Sequence, residues 1–345
     1  MTRLAAAAGL VGLALATALL VRAGFGPVAA AFAAGGAGVA LATLFHLVPM
    51  ALNARAWQLL AGRGRTRSLR FFTWLVWVRE AVNGLLPVAR VGGEVATARM
   101  LTRRGVRAAP AVASLVLDVT LTLVTQAIFT LVGLGLLAAR HPGSVLARPA
   151  WLCLAAGVPA VAALIWVQRS GALRWMERLV FLPAALRARA SPRRIDRAVQ
   201  ALWRRRARLV RFAGWQLAGW IAIAGELWIF LRAAGAPISI LDAILVESLV
   251  QALASVAFVV PGALGVQEGA FLALGGVVGV HPDVALALAL SRRARDVLLF
   301  VPALVVWQAG AGRRLLRPRT GRAERDRPEI PAKARRGNCA SGDAK

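Results

Sequence analysis

Lysine is nearly absent from this chain: of 43 basic residues only Lys333 and Lys345 are lysines, and the rest are arginines. Cysteine is as scarce. Cys153 lies in an apolar run and Cys339 in a polar tail, which excludes a disulfide framework. The three histidines (His46, His141, His281) are scattered and there is no C-x-x-C, so the sequence offers no metal site and calls for no cofactor. Nucleophile elbow, P-loop, Rossmann glycine pattern and His/Glu metal helix are all missing, so no enzyme class declares itself. One absence is local: no Lys or Arg lies between Arg232 and Arg292.

What is present is apolar. Hydrophobic residues make up 59% of the 345 positions and the mean hydropathy is +0.65. The charges cluster between apolar runs of about twenty residues, the length a helix needs to cross a ~30 Å hydrocarbon core. The runs are rich in Ala, Leu and Val without alternation, so they read as helices and not as barrel strands. The net charge of +28 does not indicate nucleic acid. Arginines flanking apolar segments mark the cytoplasmic side of a membrane, whereas a nucleic-acid binder carries them on a soluble face interleaved with aromatics. The fold class expected is therefore an all-α polytopic membrane protein of the inner membrane.

The apolar segments are roughly 4–21, 28–52, 71–88, 109–138, 150–167, 212–232, 238–260, 264–280 and 284–311. Segment 4–21 follows Arg3 without a convincing cleavage site before a folded domain, and reads as a first membrane helix. Basic clusters lie at Arg63–Arg70, at Arg90–Arg107, in 168–211 with thirteen arginines, and in the tail. Keeping all four on the cytoplasmic side, with both termini, requires 71–88 to return with part of 89–107 as a re-entrant hairpin. Likewise 238–260 and 264–280 must dip in from the other face. About six spanning helices plus two hairpins result; the alternative is eight plain spanning helices. The membrane domain is expected over 1–312. Within it, 168–211 is a basic cytoplasmic loop holding an amphipathic stretch around Ile195–Val210 that lies on anionic lipid, and 313–345 is a disordered basic tail.

A repeat supports the hairpins. A shift of 174 residues places Pro87 on Pro261, Glu94 on Glu268 and Gly105-Val106 on Gly279-Val280, so both halves read Pro-x6-Glu-x10-Gly-Val. Three crossings per half, about 4–138 and 150–311, turn the second copy upside down relative to the first, a recurring transporter layout.

Polar residues inside such segments are candidates for function. In the first hairpin these are Arg79, Glu80, Asn83, Pro87, Arg90, Gly92, Gly93 and Glu94. Pro87 breaks the helix, Gly92 and Gly93 permit tight turning, and a helix starting near Gly93 would offer free N–H groups to an anionic headgroup. Interfacial arginines reaching for water with local ion pairs are the plainer reading. In the second hairpin the set is Glu247, Gln251, Pro261, Gly262, Gly265, Gln267 and Glu268. Glu247 and Gln251 share a helix face, and Glu268, far from any basic residue in sequence, needs a partner or a water-filled cavity. Asp118 and Arg292 correspond under the shift and suggest an ion pair across the pseudo-two-fold axis, with Arg293, Arg295 and Asp296 as further intramembrane pairing candidates. Glu226 is a weaker case of the same kind. Gly35-Gly36-x-Gly38 reads as helix packing.

The stretches Asn83-Gly-Leu-Leu-Pro-Val-Ala-Arg-Val-Gly-Gly-Glu94 and Phe258-Val-Val-Pro-Gly-Ala-Leu-Gly-Val-Gln-Glu268 resemble the membrane domain of lysylphosphatidylglycerol synthases and their stand-alone flippase-like relatives. Leu115-Val-Leu-Asp-Val-Thr120, Glu247-Ser-Leu-Val-Gln-Ala252 and Ser291-Arg-Arg-Ala-Arg-Asp296 add to the resemblance, which covers roughly 40–311 and is greatest to the HpnL-type branch associated with hopanoid biosynthesis. It implies a lipid-translocating membrane domain, with hopanoids, related lipids or an anionic phospholipid as cargo and lipid-biosynthesis enzymes as partners. No transferase activity is implied, because the soluble aminoacyl-transferase domain of those synthases has no counterpart in the sequence. Two other classes remain beside it: an integral-membrane enzyme using Glu94, Glu268 or Asp118 as general base, and a scaffold for a biosynthetic complex.

Overall fold

The computed structural model describes residues 33, 36–62, 68–85, 92–146, 192–257 and 263–315, with isolated positions between 151 and 166. The expected crossings 4–21 and 150–167 and the tail after Leu315 lie outside the described residues, as do Pro87, Arg90, Pro261 and Gly262. Every regular element among the described residues is helical. Compactness divides the chain at residue 304; of the second unit, 305–345, the described part is helix through Leu315.

Among the described residues ten helices follow in order: α1 (Gly36–Phe45), α2 (Leu47–Ala61), α3 (Leu69–Leu85), α4 (Gly92–Arg103), α5 (Ala108–Arg140), α6 (Pro192–Trp203), α7 (Arg206–Ala233), α8 (Ile240–Val256), α9 (Val266–Val277) and α10 (Pro282–Leu315). Three segments among the described residues are long and apolar enough to cross a bilayer: Gly36–Ala61, Ala108–Arg140 and Arg206–Ala233. The chain is thus a multi-pass helical membrane protein. α1 and α2 meet at His46 because Pro49 has no N–H to give the carbonyl of Phe45. α10 has the length of a span but carries Arg292, Arg293, Arg295 and Asp296 in its middle.

The helix lengths repeat. α3, α4 and α5 have 17, 12 and 33 residues; α8, α9 and α10 have 17, 12 and 34. The 174-residue shift carries Gly92–Arg103 onto Val266–Val277 without a gap. The Gly-Val pair of the repeat is a helix stop. Gly105 and Gly279 take φ of +88° and +80°, and the N–H of the following valine bonds back to Leu101 (3.2 Å) and Gly275 (2.8 Å). This is the left-handed cap with its 6→1 bond, available cheaply only to glycine.

Two apolar clusters lie at opposite ends of the bundle. One gathers Trp57, Phe72, Leu75, Leu101, Leu117 and Phe212; the other gathers Leu137, Phe230, Val246, Phe271, Leu274 and Leu288. α5 and α7 run from one to the other, since each contributes its N-terminal part to the first and its C-terminal part to the second. The pair α3/α4 has its mouth in the first cluster and the pair α8/α9 in the second. At about 1.5 Å per residue, α4 and α9 are each ~18 Å long, well short of the hydrocarbon thickness. Between the clusters α3 lies on α10, where Trp77 donates its indole N–H to the Leu299 carbonyl at 2.8 Å. α8 lies on α5, where Gln126 donates to the Gln251 carbonyl at 3.1 Å.

The region 168–211 is not a loop throughout. From Pro192 it forms α6, then breaks at Arg204-Arg205, and from Arg206 it is already α7. The stretch Ile195–Val210 is therefore two helices, and Ile195 and Val199 are buried in the first apolar cluster instead of lying on lipid. The apolar stripe of α6 has a protein partner in α5, and burying it there satisfies the same amphipathic pattern.

Helix contact leaves little tolerance at Gly133. A Cβ there would come within 1.7 Å of Ser248 Oγ and 2.9 Å of Ser248 Cβ on α8. Gly133→Ala is expected to destabilise the protein by roughly 1–3 kcal/mol through overpacking, and Ser248→Gly added to it to restore most of the loss. Thermal unfolding in detergent measures both. At the junction of α5 and α8, Arg140 contacts Asp242 at 2.9 Å and His141 contacts it at 3.2 Å, while Ser239 caps α8. Partial burial pushes the Asp242 carboxyl up, but hydrogen bonds from Arg140, Ser239 and His141 outweigh it and hold it at about 2. Its stabilisation is therefore present at neutral pH and lost as pH falls from the ordinary 3.8 toward about 2. The drop in melting temperature between pH 6 and pH 3 is expected to be smaller in Asp242→Asn than in the wild type.

Candidate functional site

Each half of the chain buries charges in its middle and neutralises them internally. In the first half Arg79 on α3 pairs with Asp118 on α5, which is 1% exposed, and lies over the Trp57 ring at 5.2 Å. In the second half Arg292 on α10 pairs with Glu247 on α8, which has no exposed surface, and lies over Phe271 at 4.9 Å. The expected pair between Asp118 and Arg292 does not form. Both corresponding positions are charged, but each finds its partner on the first hairpin helix of its own half, with the signs reversed. The neighbouring helix is closer than the symmetry mate, and a buried charge takes the nearest opposite charge because its desolvation costs several kcal/mol.

Further pairs extend the second set. Arg293 reaches Glu268 on α9 at 3.0 Å, and Arg295 binds Glu226 on α7 together with Asp296 at 2.7 Å. Glu268, without a basic neighbour in sequence, thus receives one from α10, which folds back past α9. Gln251 donates to Glu247 at 2.8 Å along the shared face of α8.

The first hairpin is clamped by Asn83. Its Oδ1 accepts the Gly93 N–H at 2.9 Å, and its Nδ2 donates to Glu94 at 3.2 and 3.3 Å. A Cβ on Gly93 would sit 2.6 Å from the Arg79 carbonyl, so the glycine is needed for this approach. The start of α4 is consequently not an open anion site. The Gly93 N–H is already taken, and Glu94 puts a carboxylate of the protein where an anionic headgroup was expected. Gly92 is the first residue of α4, and Gly265, at φ +76°, precedes the first residue of α9.

These pairs surround a cavity of about 280 Å³. The first hairpin gives it Arg79, Glu80 and Asn83; the second gives Gln251 and Gln267; α10 gives Arg292, Arg293, Arg295 and Asp296. Glu94, Glu247, Glu268 and Asp118 are outside the lining and stand behind it, holding the residues that line it. The spanning helices add His46, Asn53, Thr122, Gln216 and Trp220, and Phe300 closes one side. Several buried polar atoms of this set have no hydrogen-bond partner among the described residues: Asn53 Oδ1, Gln216 Oε1, His46 Nε2, Arg292 Nε, and behind the wall Asp118 Oδ1 and Glu268 Oε2. Unsatisfied polar atoms at this depth fit a site that receives a polar group or water.

His46, Asn53 and Gln216 were not readable as site residues. Each is a single polar residue in an apolar run, and His46 was one of three scattered histidines. The available signal for His46 was its position four residues after Ala42 and three before Pro49, at the bend of an otherwise apolar span. No cluster of three or more His, Cys, Asp or Glu fit to hold a metal ion occurs among the described residues.

Neither the curated proteins nor the solved structures gave a match to this chain. A family match does exist and spans residues 7–303, covering both halves, both hairpins and the cavity between them. The chain belongs to the lysylphosphatidylglycerol synthase transmembrane region family.

Proposed function

We propose that this protein passes a lipid headgroup between the leaflets of the inner membrane through the cavity, with the acyl or polycyclic tail remaining in lipid. The observation that carries this reading is a polar chamber lined by residues of two short hairpins whose mouths lie in different apolar clusters. Family membership supports a role in handling or modifying lipid headgroups. Translocation suits the geometry better than chemistry, because of the carboxylates that could act as bases Asp118 and Glu268 are each held by an arginine and Glu94 by the Asn83 amide.

The charge balance indicates the cargo. The lining arginines are all engaged by carboxylates, and Glu80 and Asp296 add negative charge at the wall. A bare anionic headgroup has to displace a protein carboxylate, whereas hydroxyl or amine groups can bond to the carboxylates and amides already there. A hydroxylated or amine-bearing headgroup, such as the polar end of a hopanoid or a related lipid, is therefore favoured over an anionic phospholipid. The arginine-rich flanks put both termini in the cytoplasm.

Reconstituted liposomes give the direct test. Wild-type protein is expected to translocate a fluorescent lipid with a hydroxylated or amine headgroup faster than one with a phosphatidylglycerol headgroup. Glu268→Ala, which removes the carboxylate that Arg293 reaches, is expected to fall to the protein-free rate. Equal rates for folded wild type and variant refute the path, and product formation by purified protein in detergent would replace translocation with catalysis. The inverted layout has its own check: cysteines placed at Arg104 and His281, both exposed, should react with impermeant reagent from opposite sides of the membrane.

A further inference from the structure

The arginines at 79, 292, 293 and 295 all find carboxylates within their own half of the chain; His46 lies between one of each half. It belongs to the first half, at the bend between α1 and α2, and is 7% exposed. Its Nδ1 lies 2.8 Å from Glu226 of the second half. A carboxylate can only accept, so Nδ1 carries the hydrogen. In a neutral ring Nε2 is then a bare lone pair, and it has no hydrogen-bond partner. It faces a carboxylate oxygen of Glu80 at 3.7 Å. Two acceptors thus look at each other across a buried gap. One added proton, on either atom, turns the contact into a charge-assisted donor–acceptor pair.

The surroundings are suited to holding that proton. Of the ionisable groups, α3 presents Glu80 to His46, α7 presents Glu226 and α10 presents Arg295. Arg295 is itself bound to Glu226 and Asp296, and Arg292 is tied to Glu247. The Phe300 ring stands edge-on to the imidazole at 6.2 Å and adds no charge. Glu80 is the partner in contact with the cavity, with 27% of its side chain exposed against 9% for His46. Glu226 is fixed by Arg295, whereas Glu80 is placed to pass a proton from cavity water to the ring.

We infer that His46 and Glu80 form a proton-binding site opening into the cavity, and that the proton is the ion coupled to headgroup passage. A proton from cavity water binds a Glu80 oxygen and moves to the Nε2 lone pair, leaving Glu80 ionised and an imidazolium between Glu80 and Glu226. Its release by the same route restores the neutral ring. The other contact of the ring, His46 Nδ1 with Glu226, joins the two halves of the chain, and it strengthens when the ring becomes an imidazolium. The coupling half of the inference rests on the translocation reading above; the binding half does not.

The experiment separates the two. Full-length protein in lipid nanodiscs, labelled with ¹⁵N-histidine and assigned with His46→Gln, is titrated by NMR. His46 Nε2 is expected to change protonation between about pH 5 and 9, and Glu80→Gln to lower the midpoint by about one unit, the effect of a carboxylate at this distance. A ring that stays in one state throughout, or a midpoint unmoved by Glu80→Gln in folded protein, overturns the site. In proteoliposomes an imposed pH gradient should speed headgroup translocation several-fold in the wild type and leave Glu80→Gln unaffected. Translocation indifferent to the gradient in the wild type overturns the coupling even where the titration is seen. If no headgroup moves in any arm, the translocation reading falls while the titration still decides the site.

Discussion

A charge that must sit inside a bilayer has to find an opposite charge there, and the middle of this structure is organised by that requirement. Moving an ion out of water costs several kcal/mol even after relaxation, and stranding one partner of a buried pair costs about 3–5 kcal/mol. Arg79 with Asp118, Arg292 with Glu247, Arg293 with Glu268 and Arg295 with Glu226 meet the requirement pair by pair. Each pair ties a short hairpin helix or a spanning helix to one of the two long helices, α5 or α10. The pairs therefore fix the depth to which the hairpins enter, and the cavity is the space left between side chains so held.

Apolar packing does a different job. It closes the two ends, where Trp57, Phe72 and Phe212 fill one and Phe230, Phe271 and Leu274 the other. Toward the middle each cluster ends on a ring that an arginine covers, Trp57 under Arg79 and Phe271 under Arg292. α5 and α7 bridge the two ends, so any movement of one hairpin against the other must bend or slide these helices. Close approaches such as Gly133 against Ser248 show how little slack that contact has.

Much of this was legible in the chain. Apolar runs separated by arginine gave the helical membrane class, and the repeat marked Gly105-Val106 with Gly279-Val280 as equivalent, though their part as left-handed caps came from the structure. The functional residues on the hairpins were visible because a carboxylate or guanidinium in an apolar run is conspicuous. Pairing was not visible. Asp118 and Arg292 correspond in sequence, yet their partners are set by which helix lies alongside, a tertiary fact with no local trace. The anion site expected at Gly93 failed for a similar reason: Asn83, ten residues earlier, reaches across the hairpin and occupies the N–H. α6 was misread as a lipid-surface helix because an apolar stripe does not reveal whether lipid or protein covers it. His46 escaped notice because a lone histidine among leucines carries no periodic signal.

That each half settles its own arginines has a consequence for how the protein is made. When the ribosome has delivered only the first half, Arg79 and Asp118 can already neutralise each other within the membrane, without waiting for α7 to α10. The second half, arriving later, brings its own carboxylates for Arg292, Arg293 and Arg295. Insertion can thus proceed in two electrically self-sufficient instalments, and the last step is the joining of finished halves through contacts such as His46 with Glu226.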